Sequence, residues 1–147
     1  MANATEAKFG DPVTRIAQTD CWTVLLRPRQ PTFGSLVLVC REPVHAFAEV
    51  SAQGFAELGG MVRGVEAVLR AFVAYERINY LMLMMVDPDV HFHVLPRYAT
   101  LREFAGISCS DPGWPGPPRL DHVNAITPAV AETLLARLIE AWPEVGR

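Results

Sequence analysis

The sequence predicts an α+β fold in which an antiparallel β-sheet is packed with one long α-helix and one C-terminal α-helix. Three observations lead there. Two apolar, β-branched runs, CWTVLLR (21–27) and SLVLVC (35–40), flank the turn-forming PRQPTFG (28–34), as in a hairpin. Apolar residues then recur at three- and four-residue spacing from Ser51 to about Arg77. A second pair of strand-like runs and a second helical pattern follow. Strands, helix, strands, helix is an order that favours an antiparallel sheet with helices laid on it.

Each element has its own justification. The first strand stops before Pro28, and the second ends at the REP of 41–43. Ser51 is a side-chain N-cap for the long helix, whose buried stripe reads Phe55, Leu58, Val62, Val65, Leu69, Phe72 and Val73. Gly59 and Gly60 inside it each cost about 1 kcal/mol relative to alanine, which predicts a close neighbour at that turn. INYLMLMMV (78–86) reads as a buried strand, DPD (87–89) as a turn, and VHFHVLPRY (90–98) as the next strand. LREF (101–104) is a short return element, and residues 108–122 are irregular, with Trp114 clamping a proline-rich segment. Thr127 caps a last helix with Pro128 at its first position and Val130, Leu134, Leu135, Leu138 and Trp142 on its apolar face.

Composition narrows the function classes. With 147 residues the expectation is one domain, 1–147. A net charge of −3 argues against a nucleic acid polymer as partner, while leaving room for a small anion held by a few local donors. Cys21, Cys40 and Cys109 have no metal-ligand spacing and read as reduced thiols. The first ten residues lack a basic stretch followed by an apolar one, and no apolar run is long enough to span a bilayer; the expectation is a cytoplasmic protein with no membrane partner.

The chemistry concentrates in one stripe. In an extended chain Asp89, His91 and His93 share a face, and Val90, Phe92 and Val94 take the other, core-facing one. Three readings fit. The stripe is a solvated strand face, or part of a metal site, or a nucleophilic imidazole with a helper on each side. Neighbours two apart lie about 6.6 Å apart at Cα, which suits two metal ligands, but Asp89 and His93, about 13 Å apart, are too distant to share one ion. A neutral imidazole is an available nucleophile near pH 7, and phosphorus suits it because an N–P bond forms readily and yields to water.

VHFHVLPRY resembles the signature strand of the histidine triad (HIT) superfamily, HxHxH followed by apolar residues, and the trailing Pro-Arg is similar to its Fhit-like and diadenosine polyphosphate hydrolase branches. LLRPRQPTFGSLVLV (25–39), the helix and INYLMLMM stand in that family's order, so the resemblance covers about residues 20–100, with 105–147 a C-terminal extension. It implies a HIT-like fold and a nucleotidyl hydrolase or transferase acting at the α-phosphate of a dinucleoside polyphosphate, adenylyl sulfate or phosphoramidate. His91 matches the family's nucleophile and His93 the histidine beside the phosphate and bridging oxygen. Asp89 stands in place of the first histidine, as a carboxylate helper to His91. Ser35 follows Gly34 where a histidine is common, Arg27 lies near the usual ribose contact, and Arg97 and Asn79 complete the substrate-binding candidates. The glycine- and Ser/Thr-containing segment that usually precedes the motif is missing. The resemblance further implies a small-molecule nucleotide partner, no cofactor or metal, and a homodimer. The alternative it leaves open is a non-catalytic nucleotide-binding protein with a degenerate triad. His45 and His122 read as surface residues, Asp87 and Pro88 as turn chemistry.

Overall fold

A computed structural model describes residues 2–143; the ends of the 1–147 expectation lie outside the described residues. In chain order it contains α1 (Ala4–Lys8), β1 (Arg15–Gln18), β2 (Trp22–Leu26), β3 (Leu36–Cys40), a 3₁₀ turn (Phe47–Glu49), α2 (Ala52–Val73), β4 (Arg77–Leu81), β5 (His91–Arg97), β6 (Arg102–Phe104), β7 (Ile107–Cys109) and α3 (Pro128–Ala141). The first five strands form an antiparallel sheet in the order β1-β2-β3-β5-β4, and β6-β7 is a separate hairpin. The α+β prediction holds. Among the described residues no helix is long and apolar enough to cross a membrane.

The β2–β3 hairpin forms as predicted, with Trp22 opposite Cys40 and Leu26 opposite Leu36. Gly34 makes the turn possible. Its φ of +85° suits glycine, and a Cβ there would meet Val73 Cγ2 at 2.7 Å. One face of the sheet packs under α2 and α3 through Trp22, Leu36, Leu38, Val65, Leu69 and Val94, among others. The opposite face carries a second, smaller cluster of Phe9, Leu25, Val37 and Val39.

Both long helices start at their predicted caps, with Ser51 accepting from the Gly54 amide and Thr127 from the Val130 amide. The buried stripe of α2 is rotated from the prediction: Met61, Val65, Val68 and Leu69 are buried, whereas Phe55 is exposed. The close neighbour expected at Gly59 and Gly60 lies one turn further on. A Cβ at Gly59 or Gly60 would touch only Arg63, but one at Gly64 would strike the Trp142 ring at 2.5 Å. The helix stops at Val73 rather than near Arg77, because Ala74 turns left-handed (φ +51°) and Arg102 donates to the carbonyls of Val73 and Ala74. The run read as a strand over 78–86 also ends early, at Leu81; Met84 is left-handed (φ +52°), and Met85 and Val86 are 85% and 83% exposed.

Candidate active site

The site is built on β5. His91 pairs with Val39 and His93 with Val37, so both imidazoles emerge on the face that carries Leu25, Val37 and Val39. That face is not open. His91 is 2% and His93 9% exposed, because α1 and Phe9 lie over them; the Phe9 ring centroid is 6.4 Å from that of His91 and 5.9 Å from that of His93. A solvated strand face is therefore ruled out. The two imidazoles meet edge to face, with centroids 5.1 Å apart.

The tautomer of His91 follows from one contact. Its Nδ1 lies 2.7 Å from the main-chain carbonyl of Asp89. A carbonyl only accepts, so Nδ1 carries the proton and donates. Nε2 is then left with a lone pair, on a ring that lines a cleft of about 470 Å³. His93 is held neutral. Burial first, then the neighbouring His91 and the Arg27 charge, pull its pKa down from 6.5 to about 4, against a smaller opposing pull from Asp87. Its Nδ1 is buried without a hydrogen-bond partner among the described residues.

The cleft is cationic on one side and apolar on the other. Lys8, Arg27 and Arg29 line it against a single carboxylate, Asp87, which is already engaged by the Lys8 ammonium at 2.8 Å. Asp87 is thus more than the turn residue expected of it. Leu83, Met85 and Val86 form the apolar wall. Arg27 donates to the Arg29 carbonyl and keeps its Nε buried and unpaired; burial, then the Arg29 charge, lowers its pKa. An anionic ligand with an apolar part fits this lining.

The remaining sequence candidates fall elsewhere. Asp89 precedes β5, and its carboxylate does not serve His91: Oδ2 accepts from the Thr5 amide (3.1 Å) and hydroxyl (2.9 Å), while Oδ1 lies 3.9 Å from His45. The expected carboxylate contact with His91 is corrected: the main-chain carbonyl of Asp89 meets its Nδ1 instead. Ser35 is fully buried and donates to the Thr32 carbonyl inside the β2–β3 turn, so it faces no ligand. Arg97, 4% exposed, makes four hydrogen bonds, to Asp111, Asn79 and the Gly116 carbonyl. Asn79 is its partner there, in a different cleft that holds Trp114 and does not include the histidines. The structure therefore brings together Arg27, His91 and His93, and leaves Asn79, Ser35 and Arg97 out. Lys8, Phe9 and Arg29 were missed. Asn3-x-x-Glu6 is a capping-box spacing, and Asn3 and Glu6 do cap α1 reciprocally, so the signal for an N-terminal helix was there to read.

Among the described residues no group of three or more His, Cys, Asp or Glu side chains converges as a metal-binding set. His93 also carries a stability consequence. The unfolded chain takes up its proton near pH 6.5 and the native one only near pH 4, so between those values the unfolded state binds more protons. Stability contributed by the neutral form is complete above pH 6.5 and falls as the pH drops toward 4. We expect His93→Gln to flatten the fall in Tm between pH 7 and pH 4.5; a parallel pH dependence in the variant would show that His93 does not cause it.

No protein-family model and no curated protein matches the sequence. Solved structures do match along nearly the whole chain. A histidine triad (HIT) protein from Sinorhizobium meliloti 1021 superposes with a TM-score of 0.71 at 24% identity, covering 96% of each chain. A histidine triad protein from Marinobacter aquaeolei VT8 gives 0.74 at 17% identity over 99% of this chain and 97% of that one. A hypothetical histidine triad nucleotide-binding protein from Sulfolobus tokodaii strain 7 gives 0.63 at 15% identity over 87% and 82%. The fold is that of the histidine triad proteins.

Proposed function

We propose that this chain is a HIT-type nucleotidyl hydrolase or transferase that acts on the α-phosphate of a nucleotide conjugate through a nucleotidyl-His91 intermediate. The observation that carries the reading is the 2.7 Å contact of His91 Nδ1 with the Asp89 carbonyl, which leaves the lone pair on Nε2 of a ring that lines a cationic cleft. In the first step Nε2 bonds to phosphorus and the bond from phosphorus to the leaving group (P–O, or P–N in a phosphoramidate) breaks, its electron pair departing with that group. The Nδ1–H stays on the Asp89 carbonyl, which stabilises the positive ring character of the N-phosphorylated imidazole. Water or another acceptor then attacks phosphorus, the N–P pair returns to His91, and the acceptor's proton passes to solvent. Arg27, Arg29 and Lys8 supply charge opposite the phosphate oxygens, the work of positioning and electrostatics that phosphoryl chemistry mostly needs.

His93, neutral at working pH, is a hydrogen-bonding neighbour rather than a stocked acid. Leaving groups that depart without protonation are therefore favoured. Incubation with adenylyl sulfate, an aryl ester of a nucleotide, a dinucleoside polyphosphate and an alkyl phosphoramidate, each with and without chelator, tests the reading. We expect chelator-insensitive turnover, fastest for the sulfate and the aryl ester. Saturable binding of all four without turnover would instead support a non-catalytic nucleotide-binding protein, and a faster phosphoramidate would mean that another residue delivers a proton. A homodimer belongs to the same reading, supported by β4 standing at the edge of the sheet order, and light scattering on the purified chain decides it.

A further inference from the structure

We propose that Asp89 is a positioning residue whose carboxylate, through Thr5, holds the N-terminal helix across the histidine-bearing face and so builds the Lys8–Phe9 wall of the cleft. The inference rests on the proposed function only for its effect on turnover; the geometry stands by itself. Thr5 lies in the first turn of α1, where backbone amides have no acceptor within the helix. Asp89 Oδ2 takes that amide and the Thr5 hydroxyl together, at 3.1 and 2.9 Å, and both residues are buried. A buried carboxylate with two donors is a committed contact, because withdrawing it leaves both donors unpaired.

The same short segment grips α1 at its other end. Asp87, two residues earlier, pairs with Lys8 at 2.8 Å. Between these two points α1 is held along the sheet, and the next residue, Phe9, falls over the His91 and His93 rings. Asp89 thus works in two directions. Its main chain fixes the tautomer of His91, and its side chain fixes the cover over both histidines. A histidine at this position has no carboxylate for Thr5, so the Asp-x-His-x-His spelling and the N-terminal helix belong together.

Glu6 with Thr23, and Asn3 with the Cys40 carbonyl, also tie α1 down, so the contribution of Asp89 has to be measured. The test follows the imidazole signals of His93 by NMR against pH, together with hydrogen exchange of the α1 amides, in the full chain. The groups acting on His93 are His91, Arg27, Lys8 and Asp87, with Phe9 the apolar cover. In Asp89→Ala we expect α1 protection to fall and the His93 titration to rise by roughly one pH unit or more, as burial is relieved. Thr5→Val, which removes the hydroxyl contact and keeps the amide one, should move His93 the same way by a smaller amount, Phe9→Ala should reproduce the full shift, and Thr5→Ser should keep the wild-type curve. With a substrate turned over by the wild type, KM for Thr5→Val should rise severalfold with kcat little changed. If Asp89→Ala does not fold, Thr5→Val decides. An unchanged His93 titration with α1 still protected overturns the proposal. A wild type without turnover on any nucleotide conjugate defeats the proposed function instead and leaves the NMR comparison readable.

Discussion

Replacing His91 with alanine is expected to lower turnover by roughly a thousandfold or more while nucleotide affinity changes little. The asymmetry follows from what His91 does. In the proposed reaction the Nε2–phosphorus bond exists only along the path, whereas the charge of a bound ligand would be met by Lys8, Arg27 and Arg29, which line the cleft and are left in place by the substitution. His91 is also buried under Phe9, so the variant loses packing there, and affinity and melting temperature must be measured beside the rate. The matching positive result is a nucleotide trapped on the wild type under neutral quench and mapped by mass spectrometry to the peptide containing His91, absent from the variant. A variant that keeps its rate, or a nucleotide that maps to another residue, would remove His91 as the nucleophile.

The pairing of His91 and His93 on one face was legible because strand parity depends on sequence spacing alone, and the register opposite Val39 and Val37 bears it out. The fate of Asp89 was not legible. The strand begins at His91, so parity does not extend back to residue 89, and the carboxylate's partner is Thr5, 84 positions away. The apolar run at 78–86 misled for a related reason. Composition alone does not reveal that the backbone turns left-handed at Met84, and the residues that follow line the cleft instead of a core. The early end of α2 depends on Arg102, which supplies donors to its last carbonyls from 28 and 29 residues away. Local spacing therefore yielded the helices' caps and the hairpin, while Asp89 and the end of α2 were misplaced because their partners lie far along the chain.

Removing Asp111 is expected to cost about 3–5 kcal/mol of stability, because it would leave the Arg97 guanidinium buried without its counter-charge. Asp111 meets Arg97 Nε at 2.7 Å and Nη2 at 3.1 Å, a two-pronged pair with both side chains almost fully buried, and it also accepts from the Tyr98 amide. Arg97 reaches Asn79 and the Gly116 carbonyl as well, so this one side chain ties the end of β5 to β4 and to the irregular segment after β7. The arginine that resembled a phosphate ligand is the clamp for that segment, and four of its five N–H donors are engaged there. Asp111→Ala should therefore lower the denaturant midpoint strongly without raising KM for a nucleotide substrate. The double variant Arg97→Met, Asp111→Leu should recover much of the loss, since replacing a buried pair with apolar groups of similar size removes the desolvation cost along with the attraction. A loss below about 1 kcal/mol in the single variant would mean that the pair is not buried in solution. A rise in KM at unchanged stability would return Arg97 to the ligand.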